Sequence, residues 1–88
     1  MIEKTLTVTP RLGLHARPAA MFVQEAGRWK STVMVSKDGV EINGKSVMGL
    51  MLLAAEHGSK LTVKCDGPDE AKAMEGLEKL FARKFDEE

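Results

Sequence analysis

"TVMVSKDGVEIN", residues 32–43, decides the architecture of this chain. Its two halves, 32–37 and 40–43, are rich in β-branched residues, and Asp38-Gly39 between them is a two-residue hairpin signal. Strands joined by so short a turn must run antiparallel. Working outward, residues 16–27 carry Ala19, Phe22, Val23 and Ala26 at helical spacing, and Gly27 marks the end of that helix. Before it, residues 2–8 alternate Ile2, Lys4, Leu6 and Val8 with Glu3, Thr5 and Thr7, a strand whose apolar face Lys4 interrupts and which Pro10 ends. After the hairpin, residues 47–53 form a short, almost wholly apolar helix, and "EHGSK", 56–60, turns the chain. Leu61, Val63 and Cys65 then alternate with Thr62, Lys64 and Asp66 as a fourth strand. "DGPDE", 66–70, stops that strand and opens a last helix with Met74, Leu77 and Phe81 as its inner stripe and Leu80 beside it.

The order βαββαβα places the chain in the α+β class, as an open-faced β-sandwich: a four-stranded antiparallel sheet with three helices on one face. The opening strand–helix–strand needs a right-handed crossover, which leaves room for the fourth strand to insert between the first and second. The other face of the sheet is expected to meet solvent.

Residues 1–88 read as one domain, with no repeat, linker or low-complexity stretch. Of the 88 residues, 43% are hydrophobic and 30% charged, a globular composition. Lys plus Arg and Asp plus Glu number 13 each, so the chain lacks the net positive field of a nucleic-acid binder. The single cysteine, Cys65, excludes an internal disulfide or a CxxC metal site and reads as a core residue. No stretch is apolar for long enough to insert in a membrane. Met1-Ile2-Glu3-Lys4 reads as the start of a strand rather than a signal peptide, so a cytoplasmic location is expected. No cofactor or metal is expected.

"GVEINGKS", 39–46, has the spelling of a nucleotide P-loop. It does not work as one, because Gly39 belongs to the hairpin turn and 40–42 are themselves a strand, whereas a P-loop follows a buried parallel strand. What survives is Ser46, directly before a short helix and well placed to cap it.

"GLHARPAA", 13–20, puts His15 at the N-cap of the first helix. The amides of Ala16 and Arg17 have no partner inside the helix, and Pro18 has no N–H to lose. The positive helix end favours a neutral imidazole with a nucleophilic nitrogen, and a phosphate carried on that ring lands on unpaired amides. Nδ1, nearer the backbone than Nε2, is the expected reacting atom, with the Arg17 guanidinium available to the same oxygens. Metal binding fits less well, since only His57 and scattered carboxylates accompany it. His57 reads as a histidine at a helix C-terminus, and Trp29 as cover for a core edge.

"GLHARPAA" and "INGKSVMGLMLLAAEHGSKL" (42–61), with "DGPDEAKAMEGLEKLF" (66–81), resemble the HPr family, the histidine-containing phosphocarriers of the bacterial sugar phosphotransferase system. The resemblance spans essentially the whole chain and implies the same βαββαβα fold. It implies that His15 takes a phosphoryl group on Nδ1 from enzyme I and passes it to an enzyme IIA domain. Arg17 then steadies the group, and the backbone of Ala16 and Arg17 receives it. Ser46 matches the family's regulatory serine, the target of an HPr kinase/phosphorylase whose product binds a catabolite-control transcription regulator. The chain is then a carrier and protein substrate rather than an enzyme. A nitrogen-related carrier, or a regulator acting through phosphorylated Ser46, are the alternatives.

Transient partners need an adaptable apolar surface, and methionine supplies one. Leu50 and Leu53 are expected inward, with Val47, Met48 and Met51 outward beside Ala20 and Met21. Arg11, Arg17 and Lys45 are expected as a positive rim that steers acidic partners. A monomer is expected, because this patch must stay open.

Overall fold

The computed structural model describes residues 1–86. Its elements are β1 (Ile2–Thr7), α1 (Ala16–Gly27), β2 (Thr32–Lys37), β3 (Val40–Asn43), α2 (Val47–Leu52), β4 (Lys60–Asp66) and α3 (Glu70–Ala82), followed by one tight turn at Lys84–Asp86. The sheet order is β1-β4-β2-β3 with every pair antiparallel, so β4 lies between β1 and β2 as the crossover argument requires. Asp38 and Gly39 both take positive φ, 52° and 82°, the geometry of a two-residue hairpin and not of a phosphate loop.

The period-two pattern sorts the sheet's faces. Val33 and Val35 of β2 and Leu61, Val63 and Cys65 of β4 are fully buried. They lie in register, Val33 opposite Cys65 and Val35 opposite Val63. On the other face, Lys64 of β4 reaches Glu41 of β3 at 3.3 Å. Lys4, which breaks the apolar alternation of β1, is exposed and its Nζ lies 3.0 Å from Glu78 of α3. The interruption is therefore an ion pair from the sheet's edge strand to α3.

α1 buries Pro18, Ala19, Phe22 and Ala26, and α3 buries Ala73, Met74, Leu77, Leu80 and Phe81. Phe22 meets Phe81 edge-on at 6.1 Å. One core residue has no periodic signal in the sequence. Phe85 is fully buried against Phe81 at 4.8 Å, delivered by Lys84, Phe85 and Asp86, all of which have φ between 53° and 58°. Left-handed backbone is unfavourable for L-residues, so burial of the ring must hold this turn in place.

Ser31 is the one fully buried polar residue among those described, and Asp69 satisfies it. The Asp69 carboxylate accepts from the Ser31 hydroxyl, from the Ser31 amide at 3.0 Å and from the Lys30 amide at 2.9 Å. Although it stands at the N-cap of α3, its side chain serves the loop that leads into β2. Those hydrogen bonds, the Ser31 hydroxyl first, lower its pKa from 3.8 to about 2. A carboxylate favoured in the folded state stabilises it above its unfolded pKa, and the gain is lost as pH falls from 3.8 through about 2. Asp69→Asn is expected to lower the urea midpoint at pH 6 and to flatten the stability–pH curve over that acid interval. An unchanged acid limb counts against this role.

Candidate functional site

His15 occupies the N-cap of α1 in extended conformation, φ −74° and ψ −172°, and its side chain makes no capping hydrogen bond. Its carbonyl accepts the first helical bond, from Ala19 at 3.0 Å. The helix-end amides of Ala16 and Arg17 have no acceptor inside the helix, and no acidic side chain lies in the first turn. His15 is half-buried, while Ala16 and Arg17 are exposed and Pro18 is buried.

The loop before His15 is held by the segment before β4. Val8 and residues 58–59 exchange backbone bonds, Val8 donating to Ser59 at 2.8 Å and Gly58 donating to Val8 at 2.9 Å. Pro10 to Gly13 close a turn, with the Gly13 amide 3.0 Å from the Pro10 carbonyl, and Leu14 donates to Ala55 at 2.8 Å. Gly13 has φ 76°, and a Cβ there would collide with the Ala55 carbonyl oxygen. Only glycine fits that approach. His57 is exposed and lies beyond the end of α2, so it does not complement a helix terminus. Its Nδ1 instead sits 3.1 Å from the Thr9 carbonyl and 3.3 Å from that of Pro10. Thr9 also donates through its hydroxyl to the Phe81 carbonyl at 3.3 Å.

His15 shares a shallow depression of about 190 Å³ with Leu12, Leu14, Met51, Ala54, Ala55 and Glu56. Large apolar side chains are exposed on its lining, at Leu12 and Met51, and on α2 at Met48 and Leu52. Met48 is 77% exposed, Met51 46%, Leu52 77% and Leu12 81%. Leu50 and Leu53 point inward as the helical pattern requires, while Val47 is half-buried against the core. Leu52 was within reach of sequence reasoning, since it lies four residues after Met48 and so on the same helix face. Leu12 was not, because it projects from an irregular turn.

Four expected surface residues are placed otherwise, Val47 among them, since it packs against the core rather than facing out. Met21 is half-buried, packs on the core and lines a groove between α1 and α3 with Gln24, Leu80 and Arg83, a groove sharing no residue with the depression at His15. α1 has two packing partners, and Met21 turns to α3 rather than α2. Ala20 is half-buried on α1. Lys45 is half-buried with its Nζ 2.8 Å from the Trp29 carbonyl, just past the C-terminus of α1. Of the expected rim, Arg11 and Arg17 are the exposed cations. Trp29 itself packs against the core edge and donates from Nε1 to Glu25 at 3.0 Å.

Ser46 is the N-cap of α2, and its hydroxyl oxygen accepts from the Gly49 amide at 3.0 Å. It follows a tight β3–α2 connection, in which the Lys45 amide donates to the Asn43 side chain at 2.8 Å. Among the described residues, no group of three or more His, Cys, Asp or Glu is placed to hold a metal ion, and no helix is long and apolar enough to cross a membrane.

Gly13→Ala combines a positive φ with a backbone clash and is expected to cost about 2–3 kcal/mol in urea unfolding. It is also expected to displace the His15 backbone amide in a two-dimensional ¹H–¹⁵N spectrum. Wild-type stability for this variant would mean that the loop is not clamped as described.

Comparison with known proteins gives a consistent picture. The family model for the HPr component phosphorylation site of the phosphotransferase system matches residues 2–83. The phosphocarrier protein HPr of Treponema pallidum is 48% identical over 88 residues, covering all of both chains. The HPr-like protein Crh of Halalkalibacterium halodurans is 52% identical over 77 residues, 88% of this chain and 92% of its own. Among solved structures, HPr from Thermoanaerobacter tengcongensis superposes with a TM-score of 0.96 at 42% identity, over 100% of this chain and 99% of that one. An HPr dimer from the same organism superposes at 0.78 with 41% identity, over 97% and 98%.

Proposed function

The chain belongs to the HPr family of phosphotransferase-system phosphocarriers, and from that premise we propose that His15 Nδ1 is the atom that carries the phosphoryl group, between enzyme I and an enzyme IIA domain. The observation that carries this reading is the N-cap position of His15, beside the helix-end amides of Ala16 and Arg17 and with no acidic side chain in the first turn. In the acceptance step the Nδ1 lone pair forms a new N–P bond as the N–P bond to the donor histidine breaks. The acceptor ring keeps its Nε2–H and carries the group as a protonated phosphohistidine, while the donor ring, protonated on its own second nitrogen, leaves as neutral imidazole. The three oxygens then sit at the positive end of α1, near the Ala16 and Arg17 amides, with the Arg17 guanidinium as a further donor. Delivery to the enzyme IIA histidine is the same displacement in reverse. Each partner must reach a half-buried ring, and the exposed Met48, Met51, Leu52 and Leu12 give it an apolar seat. Docking through Ala20 and Val47 is secondary, Met21 and Lys45 being engaged in other contacts.

The protein is a phosphocarrier rather than a catalyst. We take residues 1–88 as a single domain with a cytoplasmic location and the carrier form as a monomer, its patch open to partners. Nucleic acid has no place in this scheme. Regulation through Ser46 is the second reading, supported by its N-cap position and by the 52% likeness to an HPr-like protein named Crh. An HPr kinase/phosphorylase would place close to two negative charges there. The helix end tolerates them, but they stand one turn or less from Met48 and beside the docking surface. A catabolite-control transcription regulator is the partner such a phosphoprotein would bind. The nitrogen-related branch uses the same chemistry at His15.

Incubation with enzyme I and phosphoenolpyruvate is expected to give one acid-labile, base-stable phosphate that His15→Ala abolishes. A label that persists in that variant sinks the assignment. Ser46→Asp is expected to slow acceptance from enzyme I on the order of tenfold, through repulsion of an acidic partner face, with an unchanged unfolding midpoint. An unaltered rate would remove Ser46 from control of docking.

A further inference from the structure

His57 lies outside the depression that contains His15, yet its ring is aimed at the loop that carries His15. Both atoms facing Nδ1 are carbonyl oxygens, of Thr9 at 3.1 Å and Pro10 at 3.3 Å. A carbonyl only accepts, so Nδ1 must carry the proton and donate to both. The Nε2–H tautomer would set a nitrogen lone pair against two carbonyl oxygens. The neutral ring is thereby fixed as the Nδ1–H form.

The two acceptors sit where the loop is otherwise decided. The Pro10 carbonyl also receives the Gly13 amide at 3.0 Å, the bond that closes the turn. The residue after that turn, Leu14, is held by the Ala55 carbonyl at 2.8 Å, and the next residue is His15. Ala55 and His57 thus belong to one short segment that grips the loop at both ends, Ala55 beside His15 and His57 at the entry. The Thr9 hydroxyl bond to Phe81 ties the same entry to α3 at 3.3 Å. His57 supplies a side-chain donor to the loop's own carbonyls at Thr9 and Pro10. Water can replace it at an exposed site, so its loss threatens the placement of the loop more than the fold.

We propose that His57 is a positioning residue for phosphoryl transfer: through its Nδ1–H bonds to Thr9 and Pro10 it fixes the loop that sets His15 at the end of α1. This rests on the carrier role of His15 proposed above. The placement matters because a covalent transfer requires the acceptor nitrogen, the phosphorus and the leaving nitrogen to align, and small misplacements of such groups are costly in rate. The asparagine side-chain N–H can occupy nearly the position of histidine Nδ1, which gives a conservative replacement with the donor retained.

The test measures acceptance of phosphate from phosphorylated enzyme I by wild type, His57→Ala and His57→Asn, with kcat and KM separated. The apolar docking surface is untouched, so His57→Ala is expected to lower kcat about fivefold, the scale of one hydrogen bond, with KM unchanged. His57→Asn is expected to recover most of the loss. In wild type, ¹⁵N spectra of the histidine rings are expected to show His57 as the Nδ1–H tautomer. A kcat for His57→Ala equal to wild type overturns the proposal, as does an effect confined to KM, failure of asparagine to rescue, or an Nε2–H tautomer at His57. If wild type itself accepts no phosphate on His15, the carrier reading falls and this one with it. If wild type accepts it and His57→Ala does so equally well, only this one falls.

Discussion

The clasp between residues 8–14 and residues 55–59 is the constraint on which the working end of the molecule depends. An N-cap residue is placed by whatever precedes it, because its own backbone is outside the helix. Here that predecessor is an irregular loop with no ladder of its own. Its order comes from a second irregular segment, through Leu14 to Ala55, Gly58 to Val8 and Val8 to Ser59. Each segment alone would be floppy. Together they satisfy one another's backbone groups and present a ring at a helix end without burying it.

Much of the architecture was legible because it is periodic. The alternation in 32–37, 40–43 and 61–66 returned β2, β3 and β4, and the apolar spacing in 16–27 returned α1 with its bounds. The insertion of β4 followed from crossover handedness. The caps at His15 and Ser46 were readable from single residues set against the start of an apolar pattern. What escaped was non-local or aperiodic. The His57 ring meets residues 48 and 47 positions earlier, and Lys45 meets a carbonyl 16 positions away. Neither contact has a local signature. Met21 has helical spacing compatible with either flank of α1, and only packing against α3 decides it.

Electrostatics in this protein are local. Equal numbers of acids and bases leave no overall field, and exposed charges pair locally at the surface, as Lys4 does with Glu78 and Lys64 with Glu41. Such pairs contribute little to stability. The first turn of α1 carries no acid and Arg17 is exposed there, while Leu12 and Met51 beside His15, and Met48 and Leu52 on α2, are exposed. Apolar residues in that number on one surface signal contact with other proteins, and the adjoining positive helix end selects the group exchanged.

The turn at Lys84–Asp86 has a kinetic corollary. Three successive residues in left-handed conformation have no intrinsic tendency to assemble. What holds them is the Phe85 ring buried against Phe81, which itself meets Phe22. Closure of this tail is then a late event in folding, and its release an early one in unfolding. Amide exchange in this segment would accordingly run ahead of global opening, as a latch that lifts while the box is still shut.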